Sequence, residues 1–121
     1  MALFGVLHHI PGRSRRLALI QSASARVRPG GILAFACWRF YEYERFRKRI
    51  KPMPTGWQVE TGDYLLDWGS HQSALRYCHY ADDAEIEALA SVTALTQIAA
   101  YRADGFSNAV NAYRLLRRES P

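Results

Sequence analysis

The side chains best suited to chemistry in this 121-residue chain are the pair His8-His9 and the run Arg76-Tyr77-Cys78-His79. A guanidinium such as that of Arg76 can grip a carboxylate through two parallel charge-assisted hydrogen bonds. The plainer alternative is a surface arginine paired with Asp63 or Asp67. Trp68 and Tyr77 offer rings on which a planar base can stack, or they are core aromatics. His8 and His9 end an apolar run, where an imidazole can position a ligand or simply pack or cap. Read as successive strand residues they face opposite sides, so only one of them would reach a shared site.

Two other chemistries lack the spacing they need. His8, His9, His71, His79, Cys37 and Cys78 include no short Cys-x-x-Cys or His-x₃-His pair, so no metal site is expected. No serine sits in a Gly-x-Ser-x-Gly elbow, which speaks against a Ser-His-Asp hydrolase.

Charge is unevenly spread. Residues 1–51 hold eleven Lys and Arg against Glu42 and Glu44, whereas residues 52–121 hold five against nine acids. The stretch from Arg39 to Arg49 interleaves cations with Phe40, Tyr41, Tyr43 and Phe46, a composition compatible with a phosphate-rich partner and with Arg39 as a substrate contact. A solvated helix face with its aromatics turned into the core explains the same pattern. No run of about 18 apolar residues exists, so no membrane span is expected. Met1 to Ile10 lacks the basic flank and small-residue cleavage site of a secretory leader. Two widely separated cysteines fit a reduced, cytoplasmic protein.

These residues need elements to position them. Ala2 to His8 is nearly all apolar up to its terminal histidine and reads as a strand buried on both faces. Leu17, Ile20 and Val27 recur at helical spacing between Arg13 and Arg28, and Arg28-Pro29-Gly30-Gly31 stops that helix. Ile32 to Trp38 is a second apolar strand, and strand-helix-strand makes the two parallel. Phe40 to Ile50 reads as a charged, aromatic helix, and Lys51 to Thr61 as a loop. Asp63 to Trp68 and Leu75 to Tyr80 are extended. Asp82 and Glu85, at capping-box spacing, open a helix through Leu89. Thr96 to Tyr101 and Asn111 to Leu116 form antiparallel strands joined through Asp104-Gly105.

Three stretches together resemble a known superfamily. Phe4-Gly5-Val6-Leu7-His8-His9-Ile10-Pro11, a basic helix, and Val27-Arg28-Pro29-Gly30-Gly31-Ile32-Leu33 look like strand 4, helix and strand 5 of class I S-adenosylmethionine-dependent methyltransferases. Gly62-Asp63-Tyr64-Leu65-Leu66-Asp67-Trp68, Arg76-Tyr77-Cys78-His79-Tyr80 and Glu85-Ile86-Glu87-Ala88-Leu89 resemble the series found in tRNA wobble-uridine carboxymethyl methyltransferases. Asp67 stands where that family has proline, and Cys78 where it has a second tyrosine.

The resemblance implies the C-terminal half of a Rossmann-like α/β sheet, with strands 4 and 5 parallel and the last two antiparallel, and with the N-terminal half absent. Residues 1–51 would form the βαβ unit and basic helix, 52–81 a substrate-side insertion, and 82–121 the last helix and hairpin. It implies S-adenosylmethionine as cofactor, walled by Phe4, Gly5 and Leu7. The superfamily's Gly-rich loop and ribose-binding acid are not in this sequence, so the isolated chain is expected to be inactive. His8, His9, Arg76 and His79 become the catalytic candidates, with Trp68, Tyr77 and Arg39 on the substrate. A carboxylate acceptor is already ionised at neutral pH, so a histidine would position it rather than deprotonate it. The implied partners are tRNA, a small zinc-binding activator subunit, and either the missing half or a second copy paired along the first strand. A small-molecule methyltransferase and a non-catalytic accessory chain are the competing readings.

Overall fold

Seven residues from Ile32 to Trp38 form the central strand, here β2, of a computed structural model that describes residues 1–68 and 74–121. Alternation along β2 sends Leu33, Phe35 and Cys37 to one face, where all are buried. That face is covered by α1 (Arg13–Ala25) and α3 (Asp83–Ser91), which contribute Ile20, Ala23, Ile86 and Leu89 to the core. β1 (Ala2–Leu3) runs parallel to β2 with Ala2 opposite Ala34. On its other side β2 pairs antiparallel with β7 (Asn111–Arg117), which pairs antiparallel with β6 (Thr96–Ala103). The sheet order is β1-β2-β7-β6, a mixed α/β arrangement with the expected parallel and antiparallel pairs.

A second sheet of three strands, β3 (Ile50–Lys51), β4 (Asp63–Trp68) and β5 (Ala74–His79), is antiparallel throughout. Gly62 sets its entry. It sits at φ +97°, and a Cβ there would lie 2.6 Å from the Tyr80 carbonyl oxygen. Only glycine combines that conformation with so close a backbone approach.

Four expectations are corrected. The first strand is two residues long, not seven. Gly5 at φ +69° breaks it and Leu7–His9 turns into a 3₁₀ helix. Nor is it buried on both faces, since Met1 and Phe4 are exposed and β1 pairs only with β2 among the described residues. Phe40 to Ile50 is not one helix but a 3₁₀ turn (Phe40–Glu42), the single turn α2 (Glu44–Arg47) and β3. Its rings at 40, 41, 43 and 46 pack against Tyr64, Tyr80, Trp38 and Phe106, and these tertiary contacts override helical propensity. The antiparallel β6–β7 pair forms as expected, joined by residues 104–110 with Asp104, Gly105 and Asn108 at positive φ. The Asp82–Glu85 capping box closes on one side alone. Asp82 accepts from the Glu85 amide at 2.8 Å, while the Glu85 side chain goes elsewhere.

Candidate functional site

A crevice of about 280 Å³ opens where β1 and β2 end. Carboxyl ends of parallel strands are where open α/β sheets place their ligands. Phe4 and Gly5 leave β1 into it, Ala36 and Trp38 come from β2, and Asn111 and Tyr113 from β7. The second sheet closes the other side with Leu66 and Trp68 from β4 and Arg76 and Cys78 from β5. His8 and His9 complete the rim.

Rings dominate this lining. Trp38 meets Trp68 edge to face at 6.0 Å and the His8 ring at 5.5 Å, and Phe4 meets Tyr113 at 5.4 Å. No carboxylate lines the crevice among the described residues. Burial, with His9 alongside, pushes His8 down to about 4, so its ring is neutral near pH 7. Its Nδ1 is buried and unpartnered among the described residues. His9 Nδ1 lies 3.1 Å from the Tyr77 carbonyl oxygen, a distance that suits donation from an Nδ1–H. Arg76 is exposed and makes no ion pair among the described residues, so it is the one permanent charge in the lining.

Strand parity sorts the remaining candidates. Arg76 and Cys78 point into the crevice, whereas Tyr77 and His79 point to the other face of β5. Arg76 and His79, three residues apart, therefore cannot serve one site. His79 is 2% exposed and sits between Asp63 (Nδ1–Oδ1 2.7 Å) and Glu85 (Nε2–Oε1 2.8 Å). Burial alone would lower its pKa, but hydrogen bonds to Glu85 and Asp63 outweigh it and raise it. Facing two carboxylates, the ring is favoured in its protonated form, in which both nitrogens donate. Tyr77 donates to Asp63 at 2.6 Å. Leu7 lies in the core at 1% exposure, away from the crevice. Arg39 is buried too, donating to the Ala81 carbonyl at 2.7 Å and to Asp83 at 3.0 Å, with its guanidinium over the Tyr80 ring. His71 lies outside the described residues.

The two histidines differ from their expectation in the opposite sense. Both line the crevice, because they sit on a 3₁₀ turn rather than on alternating strand positions.

Residue typing missed one cluster entirely. Arg16, on the inward face of α1, is 1% exposed and donates to Glu85 at 2.8 Å and to the Ile10 carbonyl at 2.8 Å, and it also bonds Glu60. The carboxylates of Glu60 and Asp63 and the His79 ring offer ligand atoms within 4.8 Å of one another. Their counter-charge is already supplied by Arg16 and His79, so the set is an ion network rather than an open metal cage. The only signal in the sequence was Arg16 at an apolar-face position, i−4 from Ile20. Cys37 and Cys78 are free, buried thiols, and burial pushes them up to about 12 and about 11.

No family model matches the sequence, and no curated protein does. Solved structures match by shape. A SAM-dependent methyltransferase from Methanosarcina mazei has a TM-score of 0.68 at 14% identity, over 99% of this chain and 58% of that one. An S-adenosylmethionine-dependent methyltransferase from Clostridium acetobutylicum ATCC 824 has 0.67 at 10% identity, over 98% and 57%. The CcbJ methyltransferase from Streptomyces caelestis has 0.60 at 15% identity, over 97% and 60%. At such identities the likeness establishes the fold alone, a mixed α/β arrangement shared with these structures. The chain spans less than two thirds of the length of each.

Phe4 and Gly5 line the crevice where β1 ends, and at Gly5 an added Cβ would meet nothing within 4 Å. The described lining has no carboxylate to receive ribose hydroxyls or an ammonium group.

Proposed function

We propose that the chain forms the acceptor side of an S-adenosylmethionine-dependent methyltransferase, with the cofactor's charged contacts provided by a further segment or partner chain along β1. When bound, the cofactor supplies an electrophilic methyl group. The residues here hold the acceptor. Arg76, the one permanent charge among the described residues of a ring-lined crevice, carries this reading. Its guanidinium suits a carboxylate, and the rings of Trp38 and Trp68 suit a planar base. A wobble uridine of tRNA bearing a carboxymethyl group has both features. His8, neutral, and His9 beside it can orient the acceptor, and no base is needed, since a carboxylate is already a nucleophile. Orientation and water exclusion then account for rate.

The test uses a complete domain in which the cofactor-binding segment is present. Arg76→Ala is expected to lower kcat/KM on carboxymethyl-bearing tRNA by roughly ten- to a hundredfold, from the loss of a charge-assisted contact of about 1.5–3 kcal/mol. Arg76→Lys recovers only part, because an ammonium keeps the charge and loses the planar fork. Cofactor affinity stays the same. Unchanged methylation in Arg76→Ala would make the arginine structural. The small volume of the crevice, enough for one planar ring system, supports a second reading in which the acceptor is a free aromatic acid. Activity on such an acid with none on tRNA would select it.

A further inference from the structure

Arg45, Arg47, Lys48, Arg49 and Lys51 occupy seven consecutive positions with no acid among them, and all five are exposed. None forms an ion pair among the described residues, not even with the preceding Glu44, whereas Arg16, Arg39, Arg102 and Arg114 are each paired. Like charges crowded on α2 and β3 repel and destabilise the segment. A polyanion would turn that repulsion into binding free energy.

The position of the segment narrows the ligand. Arg49 carries its guanidinium 5.4 Å from the Trp68 ring, and Trp68 lines the crevice. Phe46 packs on Trp38, also in the lining, at 5.0 Å. At the other end Arg45 lies over Phe106 at 3.6 Å, holding the segment flat against the rings. The cations thus form a shelf that begins at the aromatic mouth of the crevice. Cations alternating with stackable rings bind single strands, whose unpaired bases can leave the backbone. A duplex keeps its bases stacked and out of reach of such a mouth.

We propose that residues 45–51 are a track for the phosphodiester backbone of a single-stranded nucleic acid that leads to the crevice. The track rests on the charge and position of these residues. Only the fate of the base beyond Trp68 rests on the methyl-transfer reading.

Fluorescence anisotropy of the 121-residue chain with a labelled oligouridine of about 12 nucleotides, titrated over a salt series, tests it. Binding is expected, with the logarithm of affinity falling by about 0.7 per tenfold salt for each phosphate neutralised. K48Q/K51Q should make the slope shallower by about 1.4 and weaken binding at 0.15 M salt by about tenfold. R26Q/R28Q removes the same charge at the opposite end of the sheet, beside Met1 and Ile32, and should leave the slope unchanged. If the first double variant fails to fold, K48Q alone should shift the slope by about 0.7. Equal effects of the two double variants would reduce the track to net charge and overturn it. So would retention on phosphatidylserine vesicles with no oligouridine binding. Neither result depends on methylation, so failure of the Arg76 experiment and failure of the track are separable.

Discussion

Glu85 is the residue on which most of the buried charge depends. It accepts from Arg16 and His79, and burial, which would raise its pKa, is outweighed by those two bonds, which lower it. Removing one partner leaves a buried charge uncompensated, so Arg16→Met should destabilise the chain by about 3–5 kcal/mol in urea unfolding. The pH dependence follows from the shifts. His79, raised above 6.5, contributes fully below 6.5 and loses its contribution as pH rises through its folded value. Glu85, lowered below 4.5, contributes above 4.5 and loses it as pH falls through its folded value. Both contribute fully between 4.5 and 6.5, and stability declines on the alkaline side. His79→Gln should flatten that decline above pH 6.5. An unchanged urea midpoint profile would mean that His79 is not charged in the fold.

Among the elements, the three-stranded sheet depends most on a single backbone position. Gly62 accepts from the Tyr80 amide at 2.8 Å and so ties the entry of β4 to the end of β5, bringing Asp63 opposite His79. Gly62→Ala combines positive φ with a 2.6 Å approach to the Tyr80 carbonyl, and it should cost more than about 1 kcal/mol. Because Asp63 then shifts against His79, the variant should also lose part of the alkaline decline just described. A thermal melt matching wild type would show that the turn relaxes without strain. At Gly56, φ is +88° but nothing lies within 4 Å of an added Cβ, so Gly56→Ala should cost only its backbone strain.

At the scale of the molecule, one face of the main sheet is left thinly covered. Phe4, Ile32 and Tyr101 are 51%, 37% and 46% exposed, Tyr101 stacks on Tyr113 at 5.1 Å, and both helices that build the core lie on the opposite face. Next to this face runs the outer edge of β1, unpaired among the described residues. An apolar face beside an open strand edge favours association. Light scattering over a concentration series should show the chain self-associating, and a monomer at high concentration would mean that face and edge are protected. The lack of a carboxylate among the described residues of the crevice lining predicts weak or undetectable calorimetric binding of S-adenosylmethionine by the chain alone. Low-micromolar affinity would show that the crevice is sufficient without further charged contacts.

Sequence alone determined what depends on neighbours along the chain. The β2 and β4 spans, the α1 start, the α3 cap and the parallel β1–β2 pair follow from apolar runs punctuated by Pro29-Gly30, Gly62-Asp63 and Asp82. The Asp67 and Cys78 departures were legible in the sequence, whereas whether Arg76 pairs with Asp63 or Asp67 was left open there. Tertiary structure decided which charges are buried and which face each candidate takes. Arg16 and Glu85 are 69 positions apart, and no local pattern links them. His79 left the site for the ion network because β5 has period two and its register sets it opposite Asp63. Residues 40–50 broke into short turns instead of one helix because their rings found partners at Tyr64, Tyr80 and Phe106. Local periodicity is written in the chain, but pairing between distant residues exists only once burial brings them together and removes the water that would otherwise satisfy them.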